Sequence, residues 1–111
     1  MPSKVILIQS EGLGRGDDEL GEILMSNFLR LLEESQEKPE TLLFWNTGVR
    51  LVCDGSWALT HLETLEEQGV EILACRTCLD FFDLTDKLKV GKATTMPESI
   101  QSILSSDMVC L

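Results

Sequence analysis

The apolar positions of this chain follow two alternating patterns. Short, largely apolar runs, Val5-Ile6-Leu7-Ile8, Leu42-Leu43-Phe44-Trp45 and Val70-Glu71-Ile72-Leu73-Ala74, predict strands covered on both faces, as in a parallel sheet. Between them, large aliphatic residues recur at helical spacing. Leu20, Ile23, Leu24, Phe28, Leu31 and Leu32 form one stripe, which predicts an amphipathic helix that packs inward and ends near Glu34. Asp17, Asp18 and Glu19 place acid at its start, where the helix dipole favours it. Ser56 fits the N-cap of a later helix that carries Leu59, Leu62 and Leu65 inward, and Gly69 fits its stop.

The remaining predicted elements are shorter. Asn46-Thr47-Gly48 reads as a turn, Val49 to Val52 as a short helix, and Leu79 to Phe82 as the start of another. Thr85 to Leu88 reads as a turn and Lys92 to Thr95 as a short strand. A last helix follows Pro97 with Ile100, Ile103 and Leu104, and Met108 to Leu111 reads as a terminal strand. Strands that alternate with helices predict an α/β fold: three layers, α/β/α, around a mainly parallel sheet with right-handed crossovers, Rossmann-like or flavodoxin-like. Strand order is left open by this pattern.

Length and charge narrow the class. At 111 residues the chain reads as one domain over 1–111. A chain of this size buries roughly two-thirds of its unfolded surface and needs no disulfide or metal staple. The net charge is -10, and much of the acid falls on predicted helices between Glu11 and Glu40 and between Glu63 and Glu71. That reads as a solvated acidic surface. The basic residues are scattered, which argues against nucleic acid as a ligand. No apolar run approaches the ~20 residues of a membrane span. Met1-Pro2-Ser3-Lys4 runs straight into the first strand without signal-peptide form, so the expected location is cytoplasmic, where thiols stay reduced.

In that setting the four cysteines are candidate chemistry. Cys75 and Cys78 lie in Ala74-Cys75-Arg76-Thr77-Cys78-Leu79-Asp80, at a strand-to-helix turn where ligands and reactive groups gather in α/β sheets. Backbone N–H groups at such a turn lower a thiol's pKa, and Arg76 adds a positive charge. Spacing alone leaves an activated nucleophile, a reversible dithiol and structural packing open. A zinc site from Cys53, Cys75, Cys78 and Cys110 is disfavoured: only one close pair exists, and Cys110 sits in an apolar strand and reads as core. No metal or cofactor is expected.

The thioredoxin pattern fits poorly, because Arg76-Thr77 stands where Gly-Pro is usual, late in the chain. His61, the single histidine, falls on the solvated side of its helix and is no base for a Cys–His pair. Gly12-Leu13-Gly14-Arg15-Gly16 follows the first strand but is not a dinucleotide loop. The third glycine of that motif would stand at 17, where Asp17 would repel a pyrophosphate. Gly14 reads instead as lining the mouth of the cysteine site.

Three motifs carry a resemblance. Gly14-Arg15-Gly16-Asp17-Asp18-Glu19-Leu20-Gly21 leading into Leu24-Met25, then Asn46-Thr47-Gly48-Val49, then Gly69 to Asp80 with Cys75-x-Thr77-Cys78, occur in order. Together they resemble the DsrE/DsrF-like family, specifically the DsrE-like C-terminal domain of the YedF proteins. The resemblance covers nearly all of the chain. It implies a DsrE/DsrF-like α/β fold, homo- or hetero-oligomers, and carriage of sulfane sulfur, or selenium, as a cysteine persulfide. It implies Cys75 as the working cysteine, Cys78 as the second, and Arg76, Thr77, Asn46, Gly48 and Gly14 as the lining. The chain departs from the pattern at Arg76, where glycine is usual. It also lacks the TusA-like sulfur-carrier domain of YedF, which implies a TusA-like protein or domain as a partner. Two other readings stand beside this one: an oligomeric binding module with structural cysteines, and a dithiol redox switch.

Overall fold

The computed structural model describes residues 4–111. The reading of Met1 to Ser3 as a lead into the first strand lies outside the described residues. In chain order the elements are β1 (Lys4–Ile8), α1 (Asp18–Glu34), β2 (Thr41–Phe44), a 3-10 segment (Asn46–Val52) and α2 (Leu59–Glu67). Then come β3 (Glu71–Cys75), α3 (Arg76–Phe81), a 3-10 turn (Thr85–Lys87), β4 (Lys92–Thr94), α4 (Met96–Ser105) and β5 (Asp107–Cys110).

The five strands form one parallel sheet in the order β4-β3-β2-β1-β5. The expected α/β class and parallel sheet are therefore present. From β1 to β4 the chain steps one strand at a time in one direction, and right-handed crossovers place α1, α2 and α3 on one face. The return from β4 to β5 puts α4 on the other. Strand alternation divides the core accordingly. Ile6, Ile8, Leu42, Phe44, Ile72 and Ala74 pack with Met25, Leu29, Leu62 and Leu65. Val5, Leu7 and Leu43 pack on the opposite face with Leu73 and Met108.

The packing of α1 differs from the expected one. Its inward face is Gly21, Met25 and Leu29, with Phe28 and Leu32 partly buried. Leu20 and Ile23 of the expected stripe are 53% and 52% exposed, and Leu24 and Leu31 are exposed as well. The cause is an approach of backbones. Leu13 N–H donates to the carbonyl of Gly21 at 3.0 Å, and a Cβ on Gly21 would sit 3.2 Å from the carbonyl oxygen of Leu13. The side of the helix that carries Gly21 therefore faces the loop after β1, and the neighbouring apolar stripe turns outward. Asp17 caps the helix, its carboxylate accepting from Leu20 N–H at 2.8 Å, as expected of that loop.

Smaller differences concern ends and exposure. β2 and β3 each lie one residue away from their expected limits, and α2 begins at Leu59, with Ser56 Oγ accepting from Ala58 N–H ahead of it. Cys110 is exposed rather than core, because β5 is an edge strand with β1 on one side only. Ile100 and Leu104 of α4 are also exposed. Among the described residues no helix is long and apolar enough to cross a membrane.

Candidate functional site

The aligned ends of the central strands build the site. Ile8, Phe44 and Ala74 lie in register, so the residues that follow them emerge along one edge of the sheet. β3 passes into α3 without a loop: Cys75 is the last strand residue and also the N-cap of the helix, with φ -62 and ψ 121. Cys78 falls three residues on, in the first helical turn. Cap and third helical residue face each other at a helix start, so both sulfurs come to one place, where Cys75 bears on the ionisation of Cys78. They are free thiols. Cys75 is 4% exposed and belongs to the main core, while Cys78 is half-buried.

β2 supplies the other wall. Trp45 stays extended and donates its N–H to the carbonyl of Ile8 at 3.0 Å. Asn46 then turns into the left-handed region, at φ 53, where asparagine is among the best-tolerated non-glycine residues. The turn aims Asn46 N–H at Cys78 Sγ, 3.1 Å away. Asn46 Oδ1 accepts from Thr47 N–H at 2.9 Å and helps hold the conformation. Gly48 lies against the end of β1, where a Cβ would stand 2.5 Å from the carbonyl oxygen of Ile8. The 3-10 segment then buries Val49, Leu51 and Val52.

Arg50 points outward from this segment. Its guanidinium lies 4.6 Å from the centre of the Phe82 ring and 3.3 Å from a carboxylate oxygen of Glu11. One side chain thus ties the end of α3, the 3-10 segment and the loop after β1 together. Residue type gave no hint of this tie, because the three partners are far apart in sequence.

Electrostatics around Cys78 are opposed. Burial pushes its thiol up, the Asn46 N–H pulls it down, and the neighbouring Cys75 pushes it up, with a net rise. The sequence predicts a thiol pKa lowered by the N–H groups of its own strand-to-helix turn; instead the N–H on Cys78 comes from Asn46, at the end of β2, and desolvation outweighs it. Cys78 therefore rests as a neutral thiol at neutral pH.

The other sequence candidates separate. Arg76 and Thr77 occupy the exposed first turn of α3. Gly14 lines a cleft of about 340 Å³ together with Ser10, Asp17, Gly21 and Thr47, and neither Cys75 nor Cys78 is among its walls. Thr47, next to Asn46, is the link between that cleft and the thiols. His61 is half-buried, and its Nδ1 lies 2.7 Å from Glu33 on α1. Among the described residues no group of three or more His, Cys, Asp and Glu side chains converges on a point where a metal ion would sit.

Cys53 is buried, its thiol donates to the carbonyl of Val49 at 3.2 Å, and burial pushes its pKa up. Native protein treated with iodoacetamide is expected to leave Cys53 unmodified and to label it only in denaturant. Peptide masses check this, and native labelling of Cys53 would contradict it.

No family model matches the chain, and no curated protein matches it. Solved structures do. The YchN protein of E. coli is 22% identical, with a TM-score of 0.74 and the whole of both chains covered. A protein of unknown function from Methanobacterium thermoautotrophicum is 16% identical, with a TM-score of 0.73 over the whole of both chains. One of unknown function from Bacteroides thetaiotaomicron is 13% identical, with a TM-score of 0.65 over 98% of this chain and 95% of that one. At these identities the likeness is one of fold: this chain has the same α/β architecture as YchN.

Proposed function

We propose that the chain is a sulfurtransferase-like carrier that holds sulfane sulfur, or selenium, as a cysteine persulfide on the Cys75–Cys78 pair. It would serve a sulfur-relay or selenium-metabolism pathway in a cytoplasmic setting. The observation that carries this is the meeting of two free thiols at the C-terminal edge of the sheet, one with a backbone N–H donated to its sulfur. Within the DsrE/DsrF-like fold the motifs bring it nearest to the DsrE-like domain of YedF, and a TusA-like carrier protein or domain is the proposed donor.

The chemistry balances without a cofactor. A cysteine thiolate attacks the outer sulfur of a donor persulfide, a new S–S bond forms, and the donor's own S–S bond breaks. The donor thiolate leaves and takes up a proton. Onward transfer repeats the exchange with an acceptor thiolate. Alternatively, the second cysteine attacks the sulfur of the loaded one, closing a Cys75–Cys78 disulfide and expelling hydrosulfide. An external thiol reductant then restores the pair.

Reduced protein incubated with a small-molecule persulfide is expected to gain one sulfur by intact mass, or to lose two hydrogens while sulfide is released. Neither change on the native chain, or unchanged loading of the C75S/C78S double variant, would sink the proposal. The proximity of the two thiols also suits a dithiol switch. That reading requires a disulfide that closes and reopens with redox poise and no sulfur uptake.

We also propose that the chain forms a homo-oligomer through the outward stripe of α1, where Leu20, Ile23, Leu24 and Leu31 are exposed beside Trp57. A patch of this kind on a soluble domain marks an interaction surface.

A further inference from the structure

The geometry points to Asn46 as the positioning residue that makes Cys78, rather than Cys75, the sulfur that meets the donor. This rests on the sulfur-carrier reading of the pair, and it reverses the order that the family resemblance implies.

Access separates the two thiols first. Cys75 is 4% exposed, closed in by its own strand and the core, while Cys78 stands half-buried on the first turn of α3. A persulfide-bearing donor must bring its outer sulfur into line with the attacking Sγ, which a buried strand-end thiol does not allow without opening the core. Cys75 suits the second role. As the cap of the helix that carries Cys78 in its first turn, it is placed to attack the sulfur of Cys78 and close the disulfide.

The Asn46 N–H then acts at both ends of the cycle. Cys78 rests as a neutral thiol and gives its proton to solvent before it attacks the donor's outer sulfur, so negative charge stands on its Sγ in that step. The charge returns to Cys78 Sγ when an acceptor thiolate takes that outer sulfur, because Sγ is then the leaving group. A donor fixed 3.1 Å from Sγ stabilises the charge in both steps and holds the sulfur in one orientation.

The conformation that presents this N–H is an imposed one. Outside glycine the left-handed region is sparsely populated, and such positions persist where their surroundings over-determine them. Here the surroundings are on every side. Trp45 is pinned by its N–H to the carbonyl of Ile8, Gly48 N–H returns to the carbonyl of Trp45 at 3.0 Å, and Asn46 Oδ1 takes Thr47 N–H. The chain has no freedom there to turn the amide away.

Limited iodoacetamide labelling of the reduced native protein, read by peptide mass, tests the assignment. Cys78 is expected to be alkylated before Cys75. Asn46→Val, whose β-branched side chain rejects positive φ, is expected to slow Cys78 labelling about five- to tenfold. Asn46→Gly keeps both the N–H and the left-handed turn, and is expected to restore a near-native rate. With a small-molecule persulfide donor, C75S should retain loaded sulfur on Cys78, and C78S should load none.

Labelling of Cys75 first would overturn the inference. So would a native rate in Asn46→Val, a fall in Asn46→Gly as deep as in Asn46→Val, or full loading of C78S. If Asn46→Val does not fold, the native labelling order and Asn46→Gly decide the matter. Failure of the sulfur-carrier reading looks different: labelling follows the expected order, and none of the proteins takes up sulfur.

Discussion

Replacing Gly48 with alanine is expected to lower stability by about 2–3 kcal/mol, the upper part of the range for overpacking a tight site. The added Cβ would meet the carbonyl oxygen of Ile8 at 2.5 Å, the carbonyl carbon of Ile8 at 3.2 Å and Ser10 N at 3.3 Å. All three are backbone atoms, so no side chain can swing aside. The Ile8 carbonyl is already committed to Trp45 N–H, and moving it would break a bond that holds β2 to β1. The 3-10 segment must shift instead, which draws Val49, Leu51 and Val52 from the core and carries Asn46 away from Cys78. For a domain near this size the melting temperature should fall by roughly 10 °C or more. Cys78 alkylation should slow in the same protein. A melt close to native would contradict the packing described for Gly48.

Charging the outward face of α1 is expected to convert the proposed homo-oligomer to monomer. In the double variant Ile23→Asp, Leu24→Glu, two exposed apolar side chains become acidic on a chain whose net charge is already -10. Two apolar anchors contribute about 3–6 kcal/mol if fully covered, so their loss raises the dissociation constant by about 10² to 10⁴. The fold should be unaffected, because neither side chain belongs to the core. Light scattering coupled to size exclusion reads the mass, and circular dichroism checks the helices. Salt supplies a second sign. Copies of one acidic chain repel each other, so raising ionic strength should tighten the native assembly by screening. A native protein that is monomeric at all concentrations, or a variant that associates as tightly as the native chain, would remove this surface from consideration.

The strands were legible because their residues serve one purpose. Val5 to Ile8 and Leu42 to Phe44 are apolar on both faces, which only a covered parallel sheet explains, and the structure places them in its centre. The end of β3 was less legible, and the difference mattered. One residue more of strand moved Cys75 from a turn to the cap of α3, and so placed Cys78 in the first helical turn.

The inward face of α1 is not legible in the hydropathy pattern, for a different reason. The helix has two adjacent apolar stripes, and hydropathy does not distinguish residues that a core covers from residues left for a partner. Gly21 was the available signal, since a glycine inside a helix often marks a close approach of backbone. Cys110 reads as core in the sequence because an apolar edge strand looks the same as a central one until its neighbours are known.

By itself the sequence determined the α/β class, the succession of strands and helices, and the placing of Cys75 and Cys78 together, because those features depend on spacing within a few residues. Only the tertiary structure decided which thiol is open and which is closed, and what touches it. The Asn46 N–H lies 32 residues from Cys78 along the chain and reaches it through the register of β2 on β3. It is a backbone group whose direction depends on a φ angle, and that angle is set by contacts with β1. Side-chain type carries none of that information, because the constraint comes from strands that meet only after the sheet has formed.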